Sequence, residues 1–255
     1  MIRRTVAIIG ARSKSASHLS ELLESNGIEV IRFSSGSNLG SDFTYDINLR
    51  EHKVFESEFT TAVYFSWSRN RNFQQQEKSL EAAEKFAIDA RNRGVEVIFV
   101  STLASMPKDS KSFYGVCKLA AEKVMRDHGH SIVRPATVVS GTNTSFSNSL
   151  DQLYRLRSLV KIFTLFSKRL YVPTVDVSVL SETILDVIES SKQTEISLIQ
   201  TIDVLEAIVN IPVKKIWLPI SWAFIAKIKN RGEILDRLLT IIGVSEWVKG
   251  NQNRF

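Results

Sequence analysis

The chain has 255 residues, 44% of them hydrophobic and 24% charged, and 33 Lys+Arg against 27 Asp+Glu leave a formal net charge of +6. That length is enough for one large globular domain or two small ones, and the composition is that of an ordinary soluble fold. One cysteine, Cys117, excludes an internal disulfide framework and a cysteine-based zinc site, and it suits reducing, cytoplasmic surroundings.

The N-terminal Met-Ile-Arg-Arg runs straight into a strand-like segment, so no secretory signal is expected, and no apolar run is long enough for a membrane-spanning helix. The mildly basic surface suits anionic small molecules such as nucleotides. Nucleic acid is not expected as a partner, because long Lys/Arg runs and RNA-binding motifs are missing.

In chain order, Thr5–Ile9 is a β-branched run that stops at Gly10, and Ser17–Ser25 carries leucines at helical spacing before Asn26-Gly27. Glu29–Phe33 predicts a second strand and Ala62–Phe65 a third. Gln74–Arg93 predicts a long helix ending at Gly94. Val95–Val100 is nearly all apolar, as a strand covered on both faces must be. Phe113–His128 predicts another helix, and Ser131–Val133 a strand leading into Arg134-Pro135. Alternation at these lengths predicts an α/β fold, a Rossmann-type doubly wound parallel sheet with helices on both faces, over residues 1–141.

Beyond residue 141 the character changes. Gly141–Ser149 is a Ser/Thr/Asn-rich loop, Leu150–Ser167 is basic and helix-like, Leu170–Val172 is a short strand, and Val179–Ser190 is a helix. Ile220–Val248 reads as two amphipathic helices broken at Asn230–Gly232. Residues 142–255 are therefore expected to form a small, mostly helical substrate-binding lobe, interleaved with the Rossmann core. The histidines are scattered without metal-ligand spacing, so no metal site is expected.

Two places carry chemistry. The first is the turn after strand one, Gly10-Ala11-Arg12-Ser13-Lys14-Ser15-Ala16. A dinucleotide site needs a tight turn there, backbone N–H groups aimed at the pyrophosphate and a helix N-terminus behind them. The three glycine positions of that motif hold Gly10, Ser13 and Ala16, so one glycine and two small residues serve it. The second place is Tyr114-Gly-Val-Cys-Lys118. Residues four apart share a helix face, so a phenol and an ammonium can enter one cleft. An ammonium nearby favours the phenolate, which brings tyrosine toward acid/base work near neutrality. Upstream, Ser101-Thr102-Leu103-Ala104-Ser105 puts hydroxyls at the carboxyl end of a parallel strand, the side where open α/β sheets bind ligands.

Taken in order, the glycine turn, the hydroxyl-bearing strand end, the Tyr114–Lys118 helix and Arg134-Pro135-Ala136-Thr137-Val138 resemble the extended short-chain dehydrogenase/reductase superfamily, also called the NAD-dependent epimerase/dehydratase family, of the nucleotide-sugar-modifying type. The resemblance spans about residues 5–141. It implies that Tyr114 is the catalytic acid/base, that Lys118 tunes it and holds the nicotinamide ribose, and that Thr102 holds the reacting oxygen, with Ser101 as the alternative. It implies Pro135, Thr137 and Val138 beside the nicotinamide, Asp46 and Ile47 against adenine, and Ser66 as a small residue against the cofactor. It also implies Asn148 as a substrate contact. From the residues themselves, Ser105 at the strand end is a candidate substrate contact, and Arg155 and Arg169, in a basic cluster with Arg157, Lys161 and Lys168, are either part of a solvated helix face or a clamp for a substrate diphosphate.

The sequence also departs from the family. Ser34, preceded by Arg32, stands where an acid would bond the ribose of NAD, and Arg12 and Lys14 lie in the glycine loop. That set suits a 2′-phosphate, so NADP is favoured and NAD is the alternative. The family's asparagine near Ser79 is missing, and Val177-Ser178-Val179-Leu180 lacks the acids of the matching helix entry. The expectation is an NAD(P)-dependent oxidoreductase or epimerase acting on a nucleotide-activated sugar. The alternative is a catalytically weak NADP-binding pseudo-enzyme with a regulatory or assembly role. A homodimer through the 74–93 and 113–128 helices is expected in either case.

Overall fold

Strand β1 (Thr5–Ile9) sets the architecture, because both of its faces are apolar. Val6 and Ile8 join one core cluster, Ala7 and Ile9 the other, as the two-residue period of a strand requires when helices cover both sides. The computed structural model describes residues 4–35, 42–47, 53–106, 112–139, 169–190, 192–206 and 233–251. Within them β1 is followed by α1 (Lys14–Ser25), β2 (Glu29–Ser34), β3 (Phe43–Thr44) and β4 (Thr61–Tyr64). Then come α2 (Phe73–Asn92), β5 (Glu96–Val100), α3 (Phe113–Asp127), β6 (Ser131–Pro135) and β7 (Thr137–Val139). The remainder is β8 (Arg169–Asp176), α4 (Val177–Ser190), β9 (Glu195–Leu198), β10 (Thr201–Glu206) and α5 (Glu233–Gly250).

Seven strands form one sheet in the order β3-β2-β1-β4-β5-β6-β9, and every neighbouring pair is parallel. The chain therefore reverses its direction of winding between β1 and β4. That switch point is where a parallel sheet opens a crevice at its carboxyl edge. Helices α2 and α3 cover one face through Ala83, Phe86, Ala87, Ala121 and Met125. Helices α1 and α4 cover the other through Leu19, Leu23, Leu180, Ile184 and Ile188.

The expected doubly wound sheet is present. The sheet layer continues past residue 141, since α4 packs on α1 and β9 extends the sheet beside β6. The strand expected at Leu170–Val172 is longer: β8 runs from Arg169 to Asp176 and pairs with β7 and β10 in a second, three-stranded sheet, while the segment Leu150–Ser167 lies outside the described residues. Helix α4 starts at Val177 rather than Val179, because the Asp176 carboxylate accepts the Ser178 N–H at 2.9 Å.

Gly10 makes the crevice possible. Its φ is +90°, and a Cβ there would lie 2.8 Å from the Ser66 nitrogen and 2.9 Å from the Ser66 Cα. Both the backbone conformation and the space demand glycine. Gly10→Ala is expected to lower unfolding stability by about 2 kcal/mol or more, from strained backbone and forced separation of the β1 and β4 ends. Urea denaturation of the two proteins measures this, and an unchanged midpoint would contradict the close approach.

Candidate active site

A cleft of about 530 Å³ opens at the β1/β4 switch point. Gly10, Arg12, Ser13, Ser34, Asp46, Ile47 and Ser66 line it, which brings together seven of the residues expected from sequence. The turn is built by Gly10 and Ala11, whose N–H groups both donate to the Phe33 carbonyl at 2.8 and 3.0 Å. Ser13 caps α1, its hydroxyl accepting the Ala16 N–H at 3.1 Å. Ala16 itself is fully buried beneath that turn, and Lys14 is exposed at the start of α1. The Arg12 guanidinium donates to the Ser35 carbonyl at 3.0 Å, bridging the loop to the end of β2.

Arg32 is a correction. It shares a strand face with Val30, which packs under α1, so its side chain emerges beside that helix and pairs with Glu24 at 2.6 Å. It is not among the residues lining the cleft.

The Tyr114–Lys118 pair lies on the first turns of α3, as expected from its spacing. Tyr114 is half-buried and hydrogen-bonded to the Thr102 side chain. Burial pushes its pKa up, while the Arg71 guanidinium and the Thr102 bond pull it down. Lys118 is 2% exposed, and its ammonium donates to the Val100 carbonyl at 3.0 Å. The ammonium sits 4.1 Å from the Trp67 ring and 4.5 Å from the Phe99 ring. Burial brings its pKa down from an ordinary 10.5 to about 7, with Glu122 opposing that shift and Arg71 adding to it.

Ser101 and Ser105 do not face an open subsite. Both hydroxyls converge on the Glu122 carboxylate, Ser105 at 2.5 Å. Glu122 is 1% exposed and receives Arg134 at 2.9 Å on its other oxygen. Arg134 also reaches Glu195 at 2.8 Å, and Glu195 pairs with Arg126. Hydrogen bonds from Arg126 and Arg134 hold the Glu195 carboxyl down at about 2. The Ser105 expectation is thus corrected: a buried carboxylate draws the hydroxyl inward. Pro135 ends β6, while Thr137 and Val138 lie on β7, and none of them lines the cleft. Arg169 opens β8, opposite Glu206 of β10. Asn148 and Arg155 lie outside the described residues.

Three residues at the site escaped the sequence reading. Trp67 stands edge-on to Tyr114, ring centroids 6.4 Å apart, and its indole N–H donates to Gln76 at 2.7 Å. Arg71 lies flat on Tyr114, its guanidinium carbon 3.4 Å from the ring centroid. Asp236 of α5, fully buried, accepts the N–H groups of Phe113 and Tyr114 at 2.6 and 3.4 Å and lies 4.0 Å from Arg71. The Ser-Trp-Ser-Arg-Asn-Arg-Asn run after β4 was a usable signal, since two arginines and a tryptophan leave the carboxyl end of a central strand there. Asp236 gave none, being more than a hundred residues away from its partners. The described histidines have structural bonds instead: His130 sits between the Ala87 carbonyl and the Val97 N–H, and His18 meets Ser181. Among the described residues no His/Cys/Asp/Glu group could hold a metal ion, and no helix is long and apolar enough to cross a membrane.

No protein-family model and no curated protein sequence matches the chain. Solved structures do. A short-chain dehydrogenase/reductase superfamily protein from Agrobacterium tumefaciens with bound NAD superposes at TM-score 0.64 and 12% identity over 80% of each chain. The UDP-N-acetylglucosamine 4-epimerase of Bacillus cereus gives 0.58 and 14%, again over 80% of each chain. MoeE5 in complex with UDP-glucose and NAD gives 0.61 and 16%, over 80% of this chain and 78% of that one. The chain shares the α/β, Rossmann-type fold of these structures.

Within that fold the buried Lys118 carries a measurable signature. Below about pH 7 the folded chain bears the full cost of a desolvated ammonium. Between about 7 and 10.5 the unfolded chain binds the extra proton, so the stability contribution at this position rises with pH. Lys118→Met is therefore expected to gain in Tm relative to the unmodified protein at pH 6.5 and to lose that relative gain by pH 9.5. Thermal melts across the range check it, and a pH-independent difference would contradict a strongly perturbed lysine.

Proposed function

We propose that the chain is an NAD(P)-dependent oxidoreductase or epimerase acting on a nucleotide-activated sugar. The observation that carries this reading is the Tyr114–Thr102 hydrogen bond between α3 and the segment after β5, beside Trp67, which meets Tyr114 edge-on and also lines the switch-point cleft that contains Gly10, Ser66 and Asp46. The structural neighbours support the substrate class, since one is a UDP-N-acetylglucosamine epimerase and another is bound to UDP-glucose and NAD.

The cleft residues fit a dinucleotide at its adenosine and pyrophosphate end. A glycine turn with positive φ, a cationic side chain at its rim and an Asp46–Ile47 wall are what that half of the molecule requires. Arg12, beside a Ser34 that brings no carboxylate, favours the 2′-phosphate of NADP over NAD. When bound, the nicotinamide supplies hydride transfer on the substrate carbon. The chain's own part is acid/base: Tyr114 exchanges a proton with the substrate oxygen, Thr102 orients that oxygen, and Arg71 adds positive charge at the phenol. The exposed Ile88 of α2 and Val116 and Leu119 of α3 support the homodimer through the paired helices. A cytoplasmic setting accords with a single cysteine, Cys117, buried in α3.

A second reading has an observation of its own. Trp67 and Arg71 pack directly on the Lys118 and Tyr114 side chains, which favours a pseudo-enzyme that keeps a nucleotide-binding cleft for a regulatory role. Titration with NADPH and NADH, followed by tryptophan fluorescence, separates the readings together with turnover on nucleotide sugars. The enzyme reading expects saturable binding, tighter for NADPH, and turnover that drops at least about a hundredfold in Tyr114→Phe, as loss of a general acid/base does. Binding of neither nucleotide, or full turnover by Tyr114→Phe, rules it out.

A further inference from the structure

We infer that Arg71, rather than Lys118, is the cation that holds the Tyr114 phenol ready to lose its proton. This rests on the acid/base reading of Tyr114 above.

The geometry separates the two cations. Arg71 covers the Tyr114 ring, with the guanidinium carbon 3.4 Å from the centroid. A guanidinium stacked on a phenol interacts with the ring's negative face and gains strongly as the phenol becomes phenolate. Its charge also persists at every working pH. Lys118 is turned elsewhere: its ammonium is committed to the Val100 carbonyl and enclosed by the Trp67 and Phe99 rings. Its ordinary charge is also weakened by burial, with a pKa of about 7, whereas Arg71 is the cation that draws the Tyr114 pKa down against its burial.

The other charged groups facing Tyr114 do not change the assignment. Asp236, from α5, and Glu122, from α3, both oppose the phenolate. Asp236 is answered by two backbone N–H groups as well as Arg71, and Glu122 by Arg134 and two serines. Arg71 is also held in place. Gln76, fully buried, bonds Trp67 and the Ser68 and Asn70 carbonyls at 2.7, 3.2 and 2.5 Å, which fixes the segment that leads to it. Asn72 then caps α2. Arg71 acts through Tyr114, as a positioning residue.

The test titrates Tyr114 itself, without cofactor or substrate. Tyrosine is replaced biosynthetically by 3-fluorotyrosine, which lowers the phenol's titration into a range a folded protein tolerates. The residue 114 signal is assigned in the fluorine spectrum by its loss in Tyr114→Phe. Arg71→Gln is expected to raise the Tyr114 midpoint by about one pH unit or more, a tenfold loss of phenolate at fixed pH. Arg71→Lys, which keeps a charge that cannot stack flat, is expected to raise it by less, and it carries the test if Arg71→Gln does not fold. Lys118→Met is expected to move it by under about 0.3 units. A Lys118→Met shift equal to or larger than that of the Arg71 variants overturns the inference, as does a midpoint unmoved by either Arg71 change. The result is independent of nucleotide binding. Failure of both nucleotides to bind would remove the proposed function, and an unmoved midpoint alongside a Tyr114-dependent turnover would remove only this inference.

Discussion

A carboxylate buried without partners costs several kcal/mol, and Asp236 is fully buried. Its partners come from two distant parts of the chain: the N–H groups of Phe113 and Tyr114 at the start of α3, and Arg71 just before α2. The start of a helix is a favourable place for an anion, because its first N–H groups have no helical acceptor and the peptide dipoles add up there. Satisfying Asp236 therefore docks α5 against α3 and draws Arg71 to the same point. Tyr114 is on that first turn, so the phenol and the guanidinium are brought face to face by the solvation of one acid. Ser245, further along α5, receives the Tyr171 N–H at 2.8 Å, so the same helix also braces the second sheet.

A second buried acid organises the other side of the site. Tyr114, Lys118 and Glu122 are four residues apart in succession, so phenol, ammonium and carboxylate form one row along α3. The acid at the end of the row gathers what a carboxylate needs, Ser101, Ser105 and Arg134. Those hydroxyls looked like substrate contacts because they follow a central strand. Their actual role is to solvate Glu122, while the Thr102 hydroxyl accepts the Ala104 N–H at 3.2 Å and meets Tyr114. One buried acid thus divides the hydroxyls that follow β5 into a structural set and a chemical one.

Local pattern made much of this legible. Apolar runs on both faces of β1, β4 and β5 demanded a helix-covered parallel sheet, and Gly10 followed from the turn that such a sheet must make. Tyr114 and Lys118 were legible because helical spacing is a short-range rule. What stayed hidden depends on pairing at a distance. Arg32 was expected in the cleft because it sits beside Ser34, but its face belongs to α1 and Glu24. Asp236 is one of three acids on α5, with Glu233 and Glu246, and nothing in its neighbours announces Phe113 or Arg71. The extent of β8 escaped for a related reason, since its partners β7 and β10 lie on opposite sides of it in sequence.

The same bookkeeping of donors bears on the cleft. Where three glycines would leave bare N–H groups for a pyrophosphate, Ser13 spends its hydroxyl on the Ala16 N–H. A phosphate at this turn meets fewer open backbone donors, and no acid occupies the first turn of α1 to repel it. The remaining attraction must come from side-chain charge: Arg12 and Arg69 both line the cleft, and Arg12 is the one fastened to the Ser35 carbonyl at the end of β2. On the proposed reading, an anion that can offer Arg12 a better acceptor than a backbone carbonyl gains most, because charged acceptors form the stronger bonds to guanidinium. A ribose 2′-phosphate is such an anion and a bare 2′-hydroxyl is not. Selectivity between the two nucleotides would then rest on one exposed arginine, and it would weaken with added salt far more than the packing around Tyr114 does.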